Sequence, residues 1–367
     1  MVKSVKTHQV KHILIAAGGT GGHVYPALAV ADYLREQGVK ITWVGTRAGL
    51  EHRVIPAAGI PLELISISGL RGKGLLNLLF VPMKLIIAVI QTIKIFLKVK
   101  PDAVLGMGGF VSGPCGLTAF ILRKPLYLHE QNAIPGLTNK ALSSLATKVM
   151  QAFPGSFKNN NGIVVTGNPI RKDISALAKP KDRIFSRNDK IRLLVIGGSL
   201  GAQALNENVP EAISQIDKSL QPNVWHQTGK NKLDETVKSY KTLNIEAKVT
   251  EFIENMAEAY EWADLVICRA GALTVSELAN AGVGAILVPY PYAVDDHQTA
   301  NAQYLTKTGA AILIQQEQLA ARLKESLTEL LQAGRSKLIE MAEAARALSK
   351  PDATKDVANI CLGVSHG

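Results

Sequence analysis

The feature that most constrains this chain is an alternation, run through twice, of short apolar stretches with segments of helical periodicity. Residues 12–17, 41–44, 62–67, 103–105, 126–129 and 148–152 read as strands. Helical patterns fit between most of them; the segment 25–37, for example, stops at Gly38, where a glycine suits a helix end. After a polar stretch at 158–162 the pattern restarts, with strands expected at 191–196, 224–227, 248–252, 265–268, 285–288 and 311–314. Such alternation predicts α/β domains whose parallel sheets are covered on both faces. The 367 residues give length for two of them, and 47% hydrophobic residues supply two cores. We place the boundary near 167–171, with one domain over 1–168 and a second over 169–350. Two such domains facing each other would leave a cleft at the carboxyl ends of both sheets, where ligands bind in these folds. The segment 351–362 opens on a helix-compatible proline, and the residues alone leave open whether it crosses back to the first domain.

Other architectures are excluded by composition. Cys115, Cys268 and Cys361 lie far apart with no CxxC pair, so neither a disulfide framework nor a zinc cluster is available, and a reducing cytosol is expected. The start, MVKSVKTHQVKH, has basic residues without an apolar core, so no secretory leader is expected. The uncharged stretches 103–122 and 278–294 are broken by glycines and prolines and read as buried strands with glycine turns rather than membrane spans.

Charge is distributed unevenly. Residues 1–168 carry 18 basic and 6 acidic side chains, whereas residues 169–367 carry 23 and 24. The net +11 therefore belongs to the first half, which suggests that this half faces something anionic. From 64 to 101 there is no acidic residue, while Arg71, Lys73, Lys84, Lys94, Lys98 and Lys100 contribute six positive charges. Within that stretch the uncharged run LLNLLFVPM at 75–83, with Leu75, Leu76, Leu79 and Phe80, is too short to span a bilayer but suits partial insertion. With its flanking Arg71, Lys73 and Lys84 it has the composition of an interfacial contact with anionic lipid. The following segment 85–97 reads as a core helix with a solvated lysine stripe. A nucleic-acid-binding role for the basic half is disfavoured, because aromatics are only 5% of residues and leucine, not aromatic rings, interleaves the cations.

Three expected strands end in glycine-rich loops: AAGGTGGHVYP at 16–26, GMGGFVSGP at 106–114 and IGGSLGA at 196–202. Glycines at a strand-to-helix turn let backbone approach a ligand, and the helix start presents N–H groups to an anion such as a diphosphate. None matches the P-loop pattern or the GxGxxG dinucleotide spacing. A fourth segment, CRAGALTVSELANAG at 268–282, turns at Gly271 into a helix over 272–281 whose start carries Thr274 and Ser276, with Glu277 behind. Its donors could take a phosphate and Glu277 the two hydroxyls of a ribose. Alternatively, Ser276 and Glu277 are ordinary capping residues.

Taken in order, GGTGGHVYPALAVA, GLRGKG, GMGGFVSGP, LHEQNAIPGLTNK, GNPIR, GGSLGA, ALTVSE and DDHQTANA closely resemble the MurG family of bacterial peptidoglycan N-acetylglucosaminyltransferases, from about residue 12 to residue 359. The resemblance implies a GT-B fold: two Rossmann-like domains with a cleft between them and a C-terminal helix packing back on the first. It implies transfer of GlcNAc from UDP-GlcNAc to the C4 hydroxyl of MurNAc in lipid I, with inversion at the anomeric carbon, giving lipid II. The N-terminal domain would bind acceptor and membrane, the C-terminal domain UDP-GlcNAc. Carried over residue by residue, donor-contacting positions would be Thr20, Gly21, Gly22, Asn132, Arg171, Ser199, Ile253, Ala272, Leu273, Thr274, Val275, Ser276, Glu277 and Gln298. Glu277 would hold the ribose and the Ile253 backbone the uracil edge. Ser199 and the turn 272–274 would face the phosphates, and Asn132 and Gln298 the sugar. Where the family often has GGSQGA this chain has GGSLGA, so Leu200 offers no side-chain amide while the glycine turn and Ser199 remain. No cofactor and no metal are implied. The resemblance further implies a peripheral location on the cytoplasmic face of the inner membrane, with proteins of cell-wall synthesis or division as expected partners and no nucleic acid. The alternative within the same fold is another UDP-sugar enzyme, a glycolipid glycosyltransferase or a UDP-GlcNAc epimerase.

An inverting transfer needs a base for the acceptor hydroxyl and donors for the departing diphosphate, each well-placed donor contributing about 2.7–4 kcal/mol by analogy with oxyanion holes. His23, on the first glycine loop, is the candidate base, since an imidazole titrates near neutrality. It could instead contact the acceptor's diphosphate or be structural. Glu130 is the other titratable candidate.

Overall fold

The computed structural model describes residues 10–67, 81–157, 162–184, 189–198 and 201–364. The chain divides into two compact units, one made of Met1–Ile170 with Asp352–Gly367 and the other of Arg171–Pro351.

The first unit is built on β1 (His12–Ala16), β2 (Lys40–Gly45), β3 (Leu62–Leu64), β4 (Ala103–Gly106), β5 (Leu126–Glu130), β6 (Lys148–Gln151) and β7 (Ile163–Val165), in the sheet order β3-β2-β1-β4-β5-β6-β7. All its pairings are parallel. The sequence pattern does not mark β7, a three-residue strand at the sheet edge with no buried residue. Every residue of β1 is buried, because helices lie on both faces of the central strands. The helix Gly21–Glu36 packs Val24, Ala27, Val30, Ala31 and Leu34 into one core. It begins four residues before the expected start at 25, because the Thr20 carbonyl accepts from the N–H groups of His23 and Val24 and draws Gly21 and Gly22 into the first turn. The helix Ala353–Leu362 returns to this unit and seats Val357, Ala358 and Cys361 in the same core.

The second unit is built on β8 (Arg192–Ile196), β9 (Asn223–Gln227), β10 (Ala247–Thr250), β11 (Leu265–Cys268), β12 (Gly284–Leu287) and β13 (Ala311–Leu313), again all parallel, in the order β10-β9-β8-β11-β12-β13. In both sheets the strand order reverses beside the first strand, between β1 and β4 and between β8 and β11. Open α/β sheets bind ligands at such reversals, outside the carboxyl ends of the strands. The glycine segments that follow β1, β4, β8 and β11 all lie at those two points.

The helix Val81–Val99 corrects the expectation that 85–97 is core. Ala88, Thr92, Ile95 and Phe96 form its buried stripe, at helical spacing. Met83, Leu85, Ile86, Ile87 and Ile90 are exposed, Ile86 at 59%, as is Leu97 near the far end at 64%. Lys84, partly exposed, lies among them. The neighbouring helix Ser112–Ile121, which packs against it, adds exposed Phe120 and Ile121. Exposed apolar side chains gathered in this way mark a contact surface rather than a core. Arg71, Lys73, Leu75, Leu76, Leu79 and Phe80 lie outside the described residues.

Candidate active site

In the first unit the turn after β1 carries Thr20, Gly21, Gly22 and His23. Gly19 turns the chain with φ +97°, Thr20 caps the helix with its backbone in the extended region, and His23 occupies the helix's first turn rather than a loop. The turn is gripped from several sides. The Trp43 indole N–H donates to the Ala17 carbonyl at 2.8 Å, and the Ser112 hydroxyl to the Ala16 carbonyl at 2.9 Å. The glycines after β4 serve close approach: a Cβ at Gly109 would collide with the Gly18 backbone, and one at Gly108 would lie 2.7 Å from the His23 ring. Here the second glycine loop packs against the first, and this packing uses its missing side chains.

At the end of β5, His129 is fully buried and its pKa falls to about 4, because burial disfavours the charged ring. Its Nε2 donates to the Gly167 carbonyl at 2.9 Å, so it is a neutral structural imidazole. Glu130 is buried too, and its two oxygens accept four hydrogen bonds. Oε1 takes the Asn132 N–H at 3.0 Å and the Asn132 amide at 3.3 Å; Oε2 takes the Gly136 N–H at 3.0 Å and the Asn139 amide at 2.9 Å. An ionised carboxylate has about four acceptor sites, so none is left for a substrate proton. The geometry therefore argues against Glu130 as the base and makes it the residue that shapes the loop carrying Asn132.

In the second unit the helix Ala272–Ala281 starts from Gly271 at the end of β11. Thr274 and Leu273 are partly exposed at its start, whereas Val275 is fully buried and its N–H donates to the Gly271 carbonyl. Ser276 and Glu277 are buried in the fifth and sixth helical positions, too far along to cap the helix. The Tyr260 hydroxyl donates to Glu277 Oε2 at 3.0 Å. Burial pushes the Glu277 carboxyl up to about 7, opposed by the charge of Arg171 and by the Tyr260 hydrogen bond. Burial and the neighbouring Glu277 likewise push the Tyr260 hydroxyl well above its ordinary range, so it stays a donor. Arg171 is exposed and donates to the Glu254 carbonyl at 3.4 Å, next to the buried Ile253. Gln298 accepts from the Tyr290 N–H at 2.9 Å. Arg269, which the sequence pattern does not single out, donates to the carbonyls of Val288 and Pro289 and to Gln316, and so shapes the same loop. After β8 a Cβ at Gly201 would collide with the Thr228 carbonyl, while Ser199 and Leu200 lie outside the described residues.

Within the second unit the structure therefore gathers Arg171, Ile253 and Glu277, and within the first it gathers Thr20, Gly21, Gly22 and His23. Sequence reasoning missed Glu51, Tyr260 and Arg269. Glu51 had a local signal, an acidic residue directly after a segment punctuated by Gly45 and Gly49; Tyr260 is 17 residues from the carboxylate it serves and had none.

The glycosyltransferase family 28 N-terminal domain matches residues 13–151, and the family's C-terminal domain matches residues 192–357. The chain belongs to glycosyltransferase family 28. Among its family 28 relatives, the UDP-N-acetylglucosamine--N-acetylmuramyl-(pentapeptide) pyrophosphoryl-undecaprenol N-acetylglucosamine transferase of Nitrosococcus oceani is 51% identical over 97% of this chain and 99% of its own length. The protein of the same name from Marinobacter nauticus is 48% identical over 97% and 98%. The crystal structure of Acinetobacter baumannii MurG superposes with a TM-score of 0.82 at 42% identity, covering 96% of this chain and 99% of that one. The fold is thus that of the GT-B enzymes, with family 28 domains at both ends and the C-terminal helix returned to the first.

Proposed function

We infer that this family 28 enzyme transfers N-acetylglucosamine from UDP-GlcNAc to the C4 hydroxyl of MurNAc in undecaprenyl-diphospho-MurNAc-pentapeptide, lipid I, and so makes lipid II for peptidoglycan synthesis. The observation that carries this is 48–51% identity, along nearly the whole chain, to transferases named for that reaction. The buried carboxylate beside Arg171 supports a nucleoside-diphosphate donor on the second unit. A ribose presents two adjacent hydroxyls, and Glu277, ionised, accepts both. The uracil edge meets the backbone at Ile253, and Ser199 with the turn Ala272, Leu273 and Thr274 faces the diphosphate, where main-chain N–H groups favour negative charge. Ser276 belongs to the same donor-contacting segment. Asn132, Gln298, Thr20, Gly21 and Gly22 serve the transferred sugar.

The acceptor oxygen attacks the anomeric carbon from the face opposite UDP. The C1–O bond breaks with its electron pair leaving on UDP, and the configuration inverts. The acceptor proton passes to His23, which we assign as the base because Glu130 has no acceptor site left. Substituting His23→Ala separates this from a contact to the acceptor diphosphate: a base lowers turnover, a diphosphate contact weakens acceptor binding.

The first unit supplies the membrane contact. Among the described residues no helix is long and apolar enough to cross a membrane. The exposed apolar residues of Val81–Val99, with Lys84 and the basic, leucine-rich segment containing Arg71, Lys73, Leu75, Leu76, Leu79 and Phe80, suit a peripheral seat on an anionic cytoplasmic leaflet. The reaction is tested by supplying labelled UDP-GlcNAc and lipid I. Labelled disaccharide lipid and free UDP are expected; no disaccharide, or an epimerised free sugar, overturns the reading.

A further inference from the structure

Glu51 is a buried acid that the reaction as described does not use. It opens the helix Glu51–Ala57, has no exposed surface, and is surrounded by absent side chains. A Cβ at Gly18 would lie 2.7 Å from its Oε1 and one at Gly45 would lie 2.5 Å from its Cγ, while one at Gly49 would overlap the carboxylate. Three glycines therefore keep a seat open for one carboxylate. Its hydrogen bonds tie two segments together. Oε2 accepts the Gly19 N–H at 3.0 Å; Oε1 accepts the Thr46 N–H at 2.8 Å and the Thr46 hydroxyl at 2.9 Å. The neighbouring Leu50 N–H donates back to the Gly19 carbonyl at 3.4 Å, so both polar groups of Gly19 are held by the segment after β2.

A strand-to-helix glycine turn ordinarily offers its N–H groups to an anionic ligand. Here the Gly19 N–H is taken by an anion from within the chain. The expectation of a substrate diphosphate on this loop is thereby corrected at Gly19, and the turn is set before any substrate arrives.

We propose that Glu51 is a positioning residue for glycosyl transfer, fixing the Gly18–Gly19 turn and through it Thr20 and His23. The proposal rests on the assignment of His23 to the reaction. Its logic is preorganisation: a displacement of about 1 Å in a reacting group costs up to roughly 100-fold in rate.

The test is Glu51→Gln, which preserves volume. One amide oxygen can satisfy either Gly19 or Thr46, but the amide NH₂ then confronts a donor on the other side. We expect turnover to fall roughly 10- to 100-fold, with UDP affinity, measured by calorimetry, within twofold of wild type. Turnover equal to wild type means the side chain only fills space and overturns the proposal. Coupling is measured against His23→Ala. If Glu51 acts through His23, Glu51→Gln costs much less in the His23→Ala background than alone, whereas full additivity overturns the claim. Should Glu51→Gln fail to fold, Thr46→Val decides: it removes one hydroxyl donor and keeps the carboxylate. A several-fold loss of turnover with UDP binding intact then supports the proposal, and wild-type turnover overturns it. A wild-type enzyme that forms no disaccharide would sink the functional reading instead, a result distinct from an active enzyme indifferent to Glu51.

Discussion

Two buried carboxylates of the first unit, Glu51 and Glu130, and one of the second, Glu277, are treated in opposite ways. In the first, Glu51 accepts three hydrogen bonds and Glu130 four, from main chain and side chains of the loops around them. In the second, Glu277 accepts one, from Tyr260, and its carboxyl is driven up to about 7. A carboxylate whose acceptor sites are filled from within the protein is a fastener; one buried with sites unfilled is paid for by whatever ligand fills them. Glu51 and Glu130 thus hold loop shape, as Asp264 of the second unit holds Arg335 and the start of β8, whereas Glu277 keeps acceptor sites in reserve.

The largest effect should come from emptying that reserve. Glu277→Gln should weaken UDP binding by roughly 10²- to 10⁴-fold, two charge-assisted hydrogen bonds at about 1.5–3 kcal/mol each. The same variant should not destabilise the fold at high pH. A carboxyl whose folded pKa is raised favours the folded state fully below its ordinary value of 4.5 and loses that contribution as pH rises from there to about 7. Above pH 7 the variant, which has no charge to bury, should therefore melt higher than wild type, and at pH 4 the two should converge. Equal melting temperatures at pH 8 would break that contrast. Glu130→Ala should do the reverse, since it leaves the buried Asn139 amide without one partner, at about 1–3 kcal/mol, and releases the loop donors of Asn132 and Gly136. The expected outcome is a lower melting temperature and lower turnover with UDP affinity retained; lost UDP affinity would contradict it.

Much of this architecture was legible in the sequence because apolar periodicity reports burial directly. Most of the strands from β1 to β6 and from β8 to β13 carry enough buried residues to announce themselves, although β3 and β10 have none that is buried, and the helix Ala272–Ala281 begins and ends at glycines. What was hidden depends on contacts distant in sequence. Tyr260 meets Glu277 only because one helix packs beside another, and the half-exposed helix Val81–Val99 has the same composition as a buried one. The glycines were visible, but their purpose was not: at Gly18, Gly45 and Gly49 they clear space for Glu51, and at Gly108 and Gly109 for the neighbouring turn.

Smaller effects sharpen the comparison. Tyr260→Phe removes the one donor to Glu277, so the carboxyl should rise further and UDP affinity at pH 7 should fall about 5- to 10-fold, a single hydrogen bond of about 1–1.5 kcal/mol. In wild type, UDP affinity should increase as pH rises through about 7, where Glu277 ionises. In the variant that midpoint should move to higher pH, and an unmoved midpoint would remove Tyr260 from the site. The smallest effect concerns the first unit's outer face. Neutralising one lysine, Lys84→Gln, should weaken binding to anionic vesicles by roughly fivefold, a lysine contributing about 1 kcal/mol near the surface. UDP binding should be unchanged, and undiminished vesicle binding would dismiss the membrane assignment.

The return of Ala353–Leu362 to the first core orders the birth of the molecule on the ribosome. The second unit is one uninterrupted segment and can close as soon as it has emerged. The first, although its strands are made earliest, waits with the places of Val357, Ala358 and Cys361 empty until the whole second unit has been made. A premature stop near residue 350 would therefore injure the domain that was synthesised first.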